Sequence, residues 1–133
     1  MTPFHLKIVT PDGLIYDGEA EQVTVRTQEG DVSILARHIN FVTPLGMGRA
    51  AIVANCQRRN AACIGGMLSV VNGEVTLVPT TFEWADQIDV ERAERAQKKA
   101  EERLKASTSD TEVRLAEAKL HRALVRKSVA SYK

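Results

Sequence analysis

The hydrophobic period of this chain changes once along its length. Up to about residue 82, apolar residues recur at every second position in short runs, and from Val90 onward they recur about every 3.6 residues. Side chains alternate across a strand but return to one helix face every third or fourth position, so a change of period is a change of element type. A β domain must precede a helical one. The expected boundaries are residues 1–84 and 85–133.

Within the first part, "FHLKIVT" alternates and "PDG" at Pro11–Gly13 supplies a turn. "AEQVTVRTQEGDVSIL" reads as two strands joined around Glu29-Gly30. "GRAAIVA" and "NAACIGG" bracket the polar "NCQRR", and "MLSVVNGEVTLV" is a hairpin whose Asn72-Gly73 suits a type I′ turn. No helix of ordinary length fits here. The pattern is that of a β-sandwich or barrel.

Beyond it, Val90, Ala93, Gln97, Ala100 and Leu104 share one helix face that Asp89 can cap. "STSD" interrupts this helix, and Ser109-Asp110-Thr111-Glu112 matches a capping box opening a second. Its apolar stripe runs through Val113, Ala116, Leu120, Ala123 and Leu124 towards Val129. Helices joined this tightly lie antiparallel. Burying a leucine contributes ~1.5–3 kcal/mol, whereas an alanine adds little more than a methyl group, so the hairpin is expected to dock weakly. Its Ala, Glu, Lys, Arg and Gln content still favours helix. That combination suits a movable element, and it equally suits a permanent hairpin whose small residues permit close approach.

Charge divides at the same place. Residues 1–88 hold six Lys/Arg against nine Asp/Glu, net −3; residues 89–133 hold twelve against eight, net +4. From residue 114 on, Arg114, Lys119, Arg122, Arg126, Lys127 and Lys133 face a lone acid, Glu117, so that segment calls for an acidic or phosphorylated partner. The basic segment lacks interleaved aromatics and follows an acidic domain, which argues against nucleic acid. No apolar run approaches the ~20 residues of a membrane span, and Met1-Thr2-Pro3-Phe4 is unlike a signal peptide. We expect a soluble cytosolic protein with no direct membrane insertion. Cys56 and Cys63 lack metal-ligand spacing and read as free thiols.

No G-x-x-x-x-G-K-S/T run is present, and no acid–base or nucleophile grouping can be placed by local spacing, so no enzyme is expected. A binding site is better supported. A hairpin turning near residue 108 puts Arg92 opposite residue 124, between Arg122 and Arg126, so three guanidiniums can converge on one phosphate chain. Asp89 or Glu83 can accept from an adenine amino group. The plainer alternative has Asp89 capping its helix and pairing with Arg92, with Arg122 and Arg126 forming an exposed basic stripe.

"TPDGLIYDGEAEQVTVRTQEGDVSILARHINFVTPLGMG", "GGMLSVVNGEVTLV" and "EWADQIDVERAERAQKKAEERL" resemble, in order and spacing, the epsilon-subunit family of bacterial F-type ATP synthases. The resemblance spans essentially the whole chain. It implies a ten-stranded sandwich followed by an antiparallel two-helix hairpin, seated on the central stalk at the cytoplasmic face of the membrane. Implied partners are the stalk gamma subunit, the rotor ring of c subunits, and the alpha and beta subunits of the catalytic head when the hairpin extends and inhibits ATP hydrolysis. Contacts are implied at Glu29, Asp31, His38, Phe41, Val42 and Leu45 on the sandwich, and at Arg114 and Lys119 on the basic helix. Family members that bind ATP without hydrolysing it carry I-D-x-x-R-A, matched by Ile88, Asp89, Arg92 and Ala93, with Glu83, Arg122 and Arg126 at the accompanying positions. Lys99 departs from the arginine expected in strong binders, and the residues say nothing of magnesium. A stand-alone β-sandwich ligand sensor with a helical dimerisation tail is the alternative function.

Overall fold

The computed structural model describes residues 2–132, so Met1 and Lys133 lie outside the described residues. Ten strands precede two helices. Strands β1 (Phe4–Thr10), β2 (Gly13–Ala20), β3 (Gln22–Thr27), β4 (Gly30–Ile34) and β5 (Phe41–Pro44) are followed by β6 (Met47–Ala54), β7 (Gln57–Ile64), β8 (Met67–Val71), β9 (Glu74–Val78) and β10 (Thr81–Trp84). A short 3₁₀ turn, Ala85–Gln87, leads into α1 (Val90–Ala106) and α2 (Asp110–Ala130).

The strands form two five-stranded sheets, ordered β2-β1-β9-β8-β5 and β10-β7-β6-β3-β4. Among the described residues only β1 and β9 pair in parallel; the remaining neighbours are antiparallel. The alternation read from "FHLKIVT" is realised directly: Phe4, Leu6 and Ile8 are buried while His5 and Lys7 face solvent. With Val23, Val25, Ile34, Ile52, Leu68, Val70 and Leu77 they fill the space between the sheets. Asn72 and Gly73 both take positive φ, 51° and 80°, as a type I′ hairpin requires.

Three sequence expectations need correction. The "NCQRR" segment is mostly strand: Asn55 and Cys56, both at positive φ, form a two-residue turn, and Gln57–Arg59 pair with Ala54–Ile52 on the exposed end of β7. Phe41–Pro44, for which the sequence pattern supplied no strand, is likewise a strand at the edge of its sheet. Leu45 is core, 3 % exposed, with its N–H donating to Gly66 O at 2.8 Å. Gly66 on its other side runs tight against the end of β9, where only glycine fits, since a Cβ there would lie 2.0 Å from Val78 O.

Beneath the second sheet lies a smaller apolar cluster of Ala62, Ala85, Ile88, Val129 and Ala130, flanked by Val90 and Val125. Along β7, Ala61 and Cys63 point into the sandwich and Ala62 points to the hairpin, a consequence of period two. The helices meet through Ala93, Ala100, Ala116 and Ala123, all buried. α1 packs mainly on α2, and α2 carries the hairpin's main contacts to β6, β7 and the 3₁₀ turn. Leu124, expected in the buried stripe, is 42 % exposed, because the alanine seam draws the helices together on a narrower face than the apolar pattern suggests.

Candidate functional site

The site is assembled where β10, the 3₁₀ turn and the two helices meet. Trp84 ends the sandwich, with Phe82 edge-on to its ring and the Arg59 guanidinium 3.7 Å from the ring centroid. This fixes β10, so Glu83, between two buried aromatics, is turned to the opposite face of the sheet. Asp89 caps α1: its Oδ1 accepts from the Arg92 N–H at 3.1 Å. It therefore meets Arg92 through the backbone. Ile88, buried, seats the start of α1 on the small cluster.

Glu83, Ile88, Asp89, Arg92, Ala93 and Arg126 line one concavity of about 550 Å³, whose wall on the sandwich side includes Thr10, Asp12 and Phe82. Across it, Arg126 Nε donates to Glu83 Oε1 at 2.6 Å. Six of the seven residues expected around a nucleotide thus share one hollow. Arg122 does not. Four residues before Arg126, it sits about 6 Å nearer the hairpin turn and lines a neighbouring cleft of about 210 Å³ with Lys99, Arg103, Lys119 and Arg126. Ala96 and Arg126 belong to both hollows, so they are contiguous. The convergence expected of three guanidiniums becomes two in one hollow and a third in the next.

On the sandwich, Glu29 is exposed in the turn between β3 and β4, and Asp31 pairs with Arg26 at 3.1 Å. His38 Nδ1 donates to Ile39 O at 2.9 Å, and its ring stands edge-on to half-buried Phe41. Val42 and Ile39 are exposed, whereas the burial of Leu45 removes it as a contact surface. Arg114 and Lys119 are exposed on α2. Cys63 is a poor nucleophile, because burial pushes its thiol up to about 12.

The family model for the β-sandwich domain of the ATP synthase delta/epsilon chain matches residues 3–85, and that for the long α-helix domain matches residues 86–131. The chain belongs to the ATP synthase delta/epsilon chain family. The ATP synthase epsilon chain of Bacillus velezensis is 43 % identical over 130 residues, covering 98 % of each chain. That of Ruminococcus albus is 40 % identical over the full length of both, and that of Bacillus subtilis 42 % identical over 86 % of each. A chain in the Euglena gracilis mitochondrial ATP synthase assembly of OSCP, F1 and c-ring has the same fold, with TM-score 0.85 at 20 % identity, covering all of this chain and 83 % of that one.

Two features of this delta/epsilon chain went unread in its sequence. The outer face of the first sheet carries an apolar row: Pro44 lies opposite Met67, Met67 opposite Val78, and Val9 opposite Leu14. The parallel pairing of Ile8 with Leu77 aligns Val9 with Val78, completing the row across five strands. The signal was present, since "MLSVV" is apolar on both of its alternating faces apart from Ser69. The second is His5, whose Nε2 meets Asp17 Oδ1 and whose Nδ1 meets Glu74 Oε2, each at 2.5 Å. Residues on three different strands supply it.

Proposed function

We propose that the protein is a non-catalytic coupling and regulatory subunit of an F-type ATP synthase central stalk, and that its folded hairpin binds ATP as an unhydrolysed regulatory ligand. The observation carrying the nucleotide reading is that Glu83, Ile88, Asp89, Arg92, Ala93 and Arg126, scattered over 44 positions, line a single hollow. Arg92 and Arg126 supply planar donors for phosphate oxygens. Glu83 has acceptor capacity beyond the one oxygen Arg126 uses, suited to an adenine amino group. Arg122 reaches the phosphate chain from the adjoining cleft.

The sandwich is the fixed part, contacting the gamma subunit and the ring of c subunits through the Glu29–Asp31 turn, His38, Phe41 and Val42. The apolar row across the first sheet adds an extended surface of the kind a protein partner covers. The hairpin is the movable part. When extended it inhibits ATP hydrolysis, Arg114, Lys119 and their neighbours pairing with acidic side chains of the alpha and beta subunits. Such a subunit lies at the cytoplasmic face of the membrane as part of the complex. No helix among the described residues is long and apolar enough to cross a membrane.

ATP at its own dissociation constant stabilises the bound form by only ~0.4 kcal/mol, and at tenfold excess by ~1.4 kcal/mol. The alanine seam and the five-residue docking cluster keep the hairpin near the balance at which such increments matter.

Titration calorimetry on the isolated subunit tests the reading, with circular dichroism as the folding control. Wild type binds ATP and releases no ADP, and Arg92→Ala or Arg126→Ala weakens binding by ~1.5–3 kcal/mol. Absence of binding at millimolar ATP, or equal binding by Arg92→Ala, overturns the site. In the assembled enzyme, removal of residues 89–133 relieves inhibition of hydrolysis.

A further inference from the structure

A hollow of about 680 Å³, larger than the one proposed for a nucleotide, lies on a different face of α2 and shares no lining residue with it. It has two walls. His121, Leu124, Ser128 and Tyr132 follow one another at intervals of three and four, so one stripe of α2 and the turn after it form the first. The second is the outer face of β3, β4 and the start of β6, where Thr24, Arg26 and Asp31 stand. α2 packs on β6 and β7 and leaves that side of the sheet open. A Cβ at Gly48 would meet Arg26 Cβ at 2.7 Å, so glycine there lets the Arg26 stem lie across the floor.

Charge and apolar surface are arranged unevenly around it. Arg26 pairs with Asp31 at 3.1 Å. Arg49 has no such partner: its guanidinium lies 4.4 Å from the Tyr132 ring centroid, and among the described residues no carboxylate is within 4.0 Å of it. The lining thus holds two guanidiniums, Arg26 and Arg49, against the carboxylate of Asp31, a surplus of one positive charge. On the facing wall Leu124 is 42 % exposed and Tyr132 48 %. An unpaired cation therefore borders uncovered apolar surface, with the Thr24 and Ser128 hydroxyls beside them. A concavity of this size, apolar on one side and set with a few polar groups on the other, has the make-up of a small-molecule site.

We infer that this hollow binds an amphipathic organic anion, one acidic group on a flat apolar body, with the acid on Arg49 and the body against Leu124 and Tyr132. A guanidinium serves such a ligand twice, because its edge donates to acidic oxygens while its face stacks on a ring. An inorganic anion would leave Leu124 uncovered, and a neutral hydrocarbon would leave Arg49 without a counter-charge. One wall belongs to the hairpin and the other to the sandwich, so the site exists only while α2 is docked. Occupancy therefore holds the hairpin in its folded place. The inference is independent of the ATP reading, since neither hollow contributes a residue to the other.

The probe is anilinonaphthalene sulfonate, titrated into the full chain and followed by its fluorescence and by amide chemical shifts. It binds with shifts centred on residues 24–31, 46–51 and 121–132. Its uncharged analogue phenylnaphthylamine binds at least about tenfold more weakly, and Arg49→Gln weakens probe binding by about tenfold or more. Leu124→Gln also weakens it while leaving the Arg49–Tyr132 contact in place, which separates loss of the site from a loosened chain end. Leu115→Gln, exposed on α2 outside the hollow, changes nothing. At tenfold excess over its Kd the probe slows amide exchange in the last turns of α2 by about tenfold. Absence of binding, shifts centred on Met67 and Val78, equal binding of the uncharged analogue, or equal loss in Leu115→Gln overturns the inference. Displacement of the probe by ATP overturns it as well, by placing the probe in the other hollow.

Discussion

Arg126 and Glu83, 43 positions apart in sequence, meet through a 2.6 Å hydrogen bond and join the last strand of the sandwich to the second helix. Among the described residues this is the ion pair that ties the two parts together. Glu83→Gln preserves volume and removes the charge. Both partners are partly solvated, so the expected loss of docking is at most ~1 kcal/mol. Faster amide exchange in the last turns of α2, with the strands unchanged, is the signature.

The alanine seam makes the opposite kind of prediction. Ala100 and Ala123 are almost fully buried where the helices approach. Ala100→Leu has no room and costs ~1–3 kcal/mol through overpacking. The two helices separate without losing helicity, so circular dichroism holds while cross-helix nuclear Overhauser contacts disappear. A variant at Ala106, exposed at the end of α1, is silent.

His5 gives a pH dependence of known sign. Asp17 and then Glu74, by hydrogen bonding, raise its pKa above the ordinary 6.5, and His5 in turn lowers Asp17 below 3.8. Lys7, on the same face, adds to the lowering of Asp17. The His5 contribution is complete below 6.5 and is lost as pH rises through the folded value; that of Asp17 is present above 3.8 and is lost as pH falls through its folded value. The clasp between β2, β1 and β9 is therefore strongest in mildly acidic solution. An NMR titration finds His5 above 6.5 in wild type and lower in Asp17→Asn.

Sequence and structure agree where the determinants are local. The Asn72-Gly73 turn, the Asp89 cap and the break after Ala106 each depend on a few adjacent residues, and each is realised. The inward turn of Leu45 depends on a backbone crossing with Gly66, 21 positions away, which no periodicity reports. The hollow proposed for a nucleotide was partly legible because helix geometry fixes Arg92 opposite the segment holding Arg126. The partner that Arg126 takes was not, since strand β10 reaches it only through the tertiary fold.

The apolar row from Pro44 through Met67 and Val78 to Leu14 predicts where the stalk is held. Met67→Asp or Val78→Asp puts a charge in its middle while leaving the inward residues untouched. Binding to the gamma subunit weakens by more than ~2 kcal/mol if these side chains are desolvated there, as read by pull-down from the reconstituted complex. A cysteine at position 38 cross-links to gamma in the parent protein and loses that product in the Asp variants.

The two helices are attached to the sandwich in series. α1 has α2 as its main neighbour, and α2 is fastened over its last turns by Val129, Ala130 and the Glu83–Arg126 bond. Tyr132 adds a final fastening, its ring 4.4 Å beneath the Arg49 guanidinium and its carbonyl accepting from Asn60 at 3.4 Å. A chain of attachments in series yields at its weakest joint and then lets go as one piece. Undoing the few contacts at the carboxyl end would let the two helices swing out together about the Ile88 seat, as a single catch opens a folded rule.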